Sequence, residues 1–258
     1  MPVAFAPDGY RLWYEAAGDG PAIVFPVRFR AETAALGGAL AAHHRIVRYK
    51  PREAVGVMEP EGEAGGPWGP SGHTRYPVET ETGDLHAVAD AAGVAEFVLA
   101  GYSGMAALAA FLVPVTERAA GLMIGGFPLL AGCDYWLGFM EGARAALLQA
   151  GLPEKAAEHH LGRLLYREWA QRDDRSALAA LPGPKILWYG TRDCEPDCQM
   201  HDFVGGAAIA RRIAAQTGDL RGTGFDVIAF DGYDHIEALA STEAVAPRLS
   251  AALATAGW

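Results

Sequence analysis

Glu96-Phe97-Val98-Leu99-Ala100-Gly101-Tyr102-Ser103-Gly104-Met105-Ala106-Ala107-Leu108 reads as a strand that becomes a helix within three or four residues. A chain reversing that fast must pass through a strained turn, and the residue at its tip stands clear of the sheet. With serine there, the hydroxyl lies beside the first free N–H groups of the helix. One local structure then supplies a nucleophile and part of an anion site.

The surrounding sequence alternates strands and helices. Asp8-Gly9 separates strand-like Val3-Ala4-Phe5 from Tyr10-Arg11-Leu12-Trp13-Tyr14-Glu15, the pattern of an antiparallel hairpin. Ala22-Ile23-Val24-Phe25 is a buried-type strand, 31–42 a helix and Arg45-Ile46-Val47-Arg48-Tyr49 the next strand. Residues 51–77 are rich in Gly, Pro and Glu and carry no period, so they read as a long surface loop or a rim over the site. A helix from Val78 to Ala92 leads into the strand before Ser103, and 106–115 is the helix after it. Further strands are expected at Gly121–Gly126, 184–190 and 225–230, with helices at 205–217 and 243–254. Residues 128–180 interrupt the alternation with two or three amphipathic helices, around 135–149 and 154–171. The pattern predicts an α/β fold, a mostly parallel sheet covered by helices on both faces.

Composition narrows the partners. The 258 residues are 51% hydrophobic with a net charge of −10, which suits a large core and disfavours nucleic acid and anionic membranes. No apolar stretch approaches the ~20 residues of a membrane helix, and no signal peptide is visible, so a cytoplasmic location is expected. Three cysteines make no disulfide framework. Cys194, Cys198 and His201 imitate a metal cluster, but a fourth ligand is not evident, and we expect free thiols with no metal and no cofactor.

In open α/β sheets, sites form at the carboxyl ends of strands. Gly190-Thr191-Arg192-Asp193 follows one late strand and Asp231-Gly232-Tyr233-Asp234-His235 follows the last. Serine, acid and histidine thus occur in that order at three strand ends. A serine hydroxyl needs a base within reach, and the imidazole base needs a carboxylate to hold its tautomer. Asp193 is the first candidate for the acid and Asp197 the fallback.

With the hairpin start, the Gly101-Tyr102-Ser103-Gly104 turn and the two late loops in place, the chain resembles the α/β-hydrolase family over essentially its whole length. The resemblance implies Ser103 as nucleophile, His235 as base and Asp193 as acid. It implies a core of 1–127 and 181–258, with 128–180 as a small helical cap. It also implies an oxyanion hole from the N–H groups of Gly104 and Arg28. Pro26-Val27 stand where family members usually carry His-Gly, and Met105 stands where a small residue is usual. Arg28 and Arg30 are candidates for holding an anionic substrate group. Tyr102, Tyr135 and Trp136 are assigned to the substrate pocket, which favours an apolar or aromatic substrate.

The expected activity is hydrolysis of a small-molecule ester, lactone, thioester or related acyl compound through an acyl-enzyme. The alternative is a lyase, cyclase or cofactor-free oxygenase that uses the His–Asp pair for proton transfer. A binding module on the same fold is a third reading, disfavoured by the complete Ser, Asp and His set. Oligomeric state, including a homo-oligomer, is left open.

Overall fold

The computed structural model describes residues 2–52, 73–130, 133–203 and 205–258; most of the 51–77 loop, from 53 to 72, lies outside the described residues. Among the described residues, eight strands form one sheet: β1 (Val3–Phe5), β2 (Arg11–Ala17), β3 (Ala22–Pro26), β4 (Arg45–Tyr49), β5 (Phe97–Tyr102), β6 (Ala119–Gly125), β7 (Lys185–Gly190) and β8 (Asp226–Phe230). Their spatial order is β1-β2-β4-β3-β5-β6-β7-β8. β1 and β2 pair antiparallel as the Asp8-Gly9 turn predicts, with Val3 opposite Trp13, and β2 runs antiparallel to β4. Every pairing from β4 through β3 to β8 is parallel.

Parallel neighbours demand crossovers, and helices supply them: α1 (Ala34–Leu40), α2 (Val78–Ala91), α3 (Gly104–Leu112) and α9 (Gly206–Gly222), while α11 (Thr242–Thr255) follows the last strand. Between β6 and β7 the chain instead makes four helices: α4 (Cys133–Gln149), α5 (Pro153–Ala157), α6 (His160–Trp169) and α7 (Arg175–Ala180). The single helix expected over 154–171 is thus two, because the chain breaks at Glu158-His159. The remaining short helices are α8 (Met200–Phe203) and α10 (Glu237–Ala240).

The sheet's two faces carry two cores, divided by strand alternation. On β5, Phe97 and Leu99 face a cluster that includes all of Met105–Leu112, while Val98, Ala100 and Tyr102 face Trp188, Leu249 and Leu253. From Met105 onward α3 is buried on every side, as its unbroken apolar sequence requires. Met105 does not displace it: the side chain is in the core, 1% exposed. α6 buries Leu161, Leu164, Leu165 and Trp169, the helical spacing of one apolar face.

Candidate active site

β5 ends at Tyr102 and α3 begins at Gly104, so Ser103 alone makes the turn. Its φ is 53° and ψ −123°, a conformation costly for a residue with a Cβ. The turn is that tight because Gly101 has no side chain; a Cβ there would lie 2.5 Å from the carbonyl oxygen of Met105. The N–H of Ser103 donates to the Gly125 carbonyl at 2.8 Å, tying the turn to the end of β6.

His235 arrives from the loop after β8 and Asp193 from the loop after β7. Arg192 N–H donates to Tyr233 O at 3.0 Å and lashes the two loops together. Asp193 Oδ1 accepts the backbone N–H of His235 at 2.7 Å, and Oδ2 lies 3.7 Å from Nδ1 of the same residue. The carboxylate thus holds the histidine by its main chain and lies close to the ring. Both residues are buried, Asp193 at 2% and His235 at 3% exposure. Asp197 is on the surface, so the fallback acid is not brought to the site.

The imidazole sits against Gly126, where an added Cβ would be 2.7 Å from Cε1, and Gly126 directly follows the residue bonded to Ser103. Ser103 and His235 therefore share one corner of the molecule. Nε2 of His235 is buried and has no hydrogen-bond partner among the described residues. Burial, then the nearby positive charge of Arg28, push the His235 pKa down to about 4, with Asp234 opposing. Burial pushes Asp193 up to about 6, against the pull of the His235 N–H. At neutral pH the imidazole is uncharged and able to accept a proton.

The loop after β3 departs from expectation. Arg28 N–H does not point into an open hole; it donates to Oε2 of Glu32 at 2.5 Å. Glu32 N–H closes on Phe29 O at 3.0 Å, which folds the Glu32 carboxylate back under its own loop. Oε1 of Glu32 also accepts from Nε and Nη2 of Arg28, at 3.3 and 3.2 Å. The remaining guanidinium nitrogen, Nη1, lies 3.5 Å from where a Cβ on Gly104 would be.

Arg48 fixes this loop from below. It is 5% exposed, donates to the carbonyls of Arg30 and of Glu32 (2.5 Å for the latter) and to Thr33 Oγ1, and pairs with Glu15. Thr33 is held at φ 60°, and with Ser103 it makes the pair of described non-glycine residues at positive φ.

Other expected pocket residues are placed differently. Tyr102 is not at the substrate surface: alternation along β5 turns it into the lower core, 2% exposed, between Trp188 and His235. Its hydroxyl donates to the His235 carbonyl at 2.6 Å, so it supports the histidine loop. Arg30 is turned toward β2, its guanidinium 5.1 Å from the Trp13 ring centre. Tyr135 lies under the Arg212 guanidinium at 4.1 Å. Trp136 stacks on Tyr166 at 6.5 Å, and the stack continues through Trp169 to Phe127. Tyr166 feels the charge of Arg28 as His235 does, which sets α6 and the Arg28 guanidinium on the same side of the molecule.

Residue reading missed Glu32 and Arg48. Arg48 had a signal, a charge between Val47 and Tyr49 inside a strand, which asks for buried partners. Glu32 had only its i,i+4 spacing from Arg28, a pattern common on any surface.

Eight-stranded topology, the strained Ser103 turn and the three strand-end loops decide the comparison with known structures. The chain has the α/β-hydrolase fold. An α/β hydrolase from Sphaerobacter thermophilus DSM 20745 superposes with a TM-score of 0.58 at 19% identity, covering 96% of this chain and 98% of that one. The enol-lactonase of Burkholderia xenovorans LB400 gives 0.56 at 18%, covering 98% and 100%. An esterase from Exiguobacterium antarcticum gives 0.57 at 15%, covering 98% of each chain. No protein-family model and no curated protein matches the sequence. Among the described residues, this hydrolase fold brings no three His, Cys, Asp or Glu side chains together as a metal site, and no helix is long and apolar enough to cross a membrane.

Proposed function

We propose that the protein hydrolyses a small-molecule ester or lactone through Ser103, His235 and Asp193. The observation that carries this is the strained Ser103 turn beside a buried, uncharged imidazole whose loop is bound by a buried carboxylate. Ser103 Oγ attacks the carbonyl carbon while His235 Nε2 takes its proton. Gly104 N–H, free as the first amide of α3, receives the oxyanion. The tetrahedral species expels the alcohol, which takes the proton back, and water releases the acyl group by the same steps. Helices α4–α7 form the cap, with the Trp136–Tyr166–Trp169 stack as its apolar lining. The esterase and lactonase likenesses agree with this choice of bond.

The test is covalent. A fluorophosphonate probe should label Ser103 in the intact protein and leave Ser103→Ala unlabelled. An unlabelled parent protein overturns the reading. One observation favours a second reading, proton transfer without an acyl-enzyme: Arg28 N–H is bonded to Glu32 rather than left for an oxyanion. Its signature is turnover that survives Ser103→Ala and disappears in His235→Ala.

A further inference from the structure

Oxyanion holes of acyl transfer gather preorganised donors, and of the two backbone N–H groups expected here, Gly104 and Arg28, the second is taken. Gly104 N–H is free, whereas Arg28 N–H is bound at 2.5 Å by a carboxylate whose side chain is 4% exposed. Pulling that N–H away would strand a buried charge, a cost of several kcal/mol in general. The second donor must come from elsewhere.

We propose that the Arg28 guanidinium, held by Glu32, is the second oxyanion donor of this site, replacing the backbone N–H of the same residue. This rests on the ester or lactone hydrolysis above and adds the group that holds the developing charge. Three arrangements point to it. Glu32 occupies Nε and Nη2 and leaves Nη1 without a partner among the described residues. Nη1 lies 3.5 Å from where a Cβ on Gly104 would be, so the nitrogen stands beside the residue that offers its N–H at the start of α3. The loop is pinned by Arg48 at Arg30, Glu32 and Thr33, so the guanidinium is placed before substrate arrives. A charged donor is roughly twice as strong as a neutral amide, which suits it to this role.

In the step itself, the Ser103 Oγ–C bond forms, the carbonyl π pair moves to oxygen, and the Oγ proton goes to His235 Nε2. The new O⁻ accepts from Gly104 N–H and Arg28 Nη1–H. Collapse restores the carbonyl, breaks the bond to the leaving oxygen and returns the proton to it. Glu32 is a positioning residue: its carboxylate bonds to the guanidinium and N–H of Arg28, and its main chain to Arg48 and Phe29.

The experiment measures the second-order rate of Ser103 labelling by a neutral alkyl fluorophosphonate, whose phosphoryl oxygen enters the same hole. Arg28→Ala should slow labelling by on the order of 10²-fold, and Arg28→Lys by less. Added guanidinium ion should restore part of the rate in Arg28→Ala and none in the parent. Glu32→Ala should slow labelling about tenfold, because Nε and Nη2 lose the carboxylate that orients the guanidinium. A faster Glu32→Ala would show that the freed backbone N–H is the donor, and would overturn the proposal. Glu32→Gln, which keeps an acceptor without the charge, gives the same two-way reading should Glu32→Ala not fold. An unchanged rate in Arg28→Ala overturns the proposal alone; an unlabelled parent overturns the hydrolytic reading with it.

Discussion

Two turns flank the candidate site, and each contains a residue with a side chain at positive φ: Ser103 between β5 and α3, Thr33 at the entrance to α1. They are held by different means. Ser103 is forced there by its own neighbours, because strand and helix follow without a spacer and Gly101 lets the helix cross at contact distance. Thr33 is held by Arg48, fifteen residues away on β4, in a loop that also contains the part-buried Arg28–Glu32 ion pair. The first turn is a local device and the second a tertiary one. A local device survives changes elsewhere; a tertiary device fails when one distant partner is removed.

The largest effect should come from the local turn's own hydroxyl. Ser103→Ala should lower hydrolysis by on the order of 10⁴-fold or more, with the fold and melting temperature retained. The next should come from the support of the other turn. Arg48→Met strips Thr33 and two carbonyls of their donor and leaves Glu15 and Glu32 with one cation fewer. Denaturant unfolding should show a loss of about 1–3 kcal/mol, and fluorophosphonate labelling should slow although Arg48 does not touch Ser103. Equal labelling in Arg48→Met would show that the loop holds itself.

Smaller effects separate strain from support. Relieving positive φ with glycine is worth roughly 1 kcal/mol. Ser103→Gly should stabilise by about that much, whereas Thr33→Gly should gain less, since it also loses the Arg48 bond to Oγ1. Matched gains would mean that the Oγ1 bond contributes nothing.

The smallest effect is on pH. Arg28, Asp193, Asp234 and Tyr102 face His235 from four elements. Arg28 lowers the imidazole pKa, so Arg28→Ala should raise it and shift the acid limb of the labelling rate to higher pH, by less than about one unit. In the parent that limb should fall between about 4, where His235 takes a proton, and about 6, where Asp193 does. A limb unmoved by Arg28→Ala would place the guanidinium charge away from the imidazole.

The residues themselves determined the eight-stranded α/β order, the hairpin start, the strand–serine–helix turn and the convergence of Asp193 and His235. These depend on short-range rules: apolar period, turn chemistry, and the tendency of parallel strands to bring their carboxyl ends together. Alternation along β5 was also readable, and it removes Tyr102 from the pocket, because a residue one position from Ser103 on a strand points to the opposite face. Tertiary structure alone decided the second turn. Glu32 bonds to Arg28 in a loop that Arg48 holds from β4, with Glu15 and Thr33 beside it, and buried charges take partners where the fold leaves them without water. The Ser103 turn was legible because a few adjacent residues build it; Arg28 was singled out from its place after β3, whereas the Glu32 bond to its N–H showed only in the folded loop.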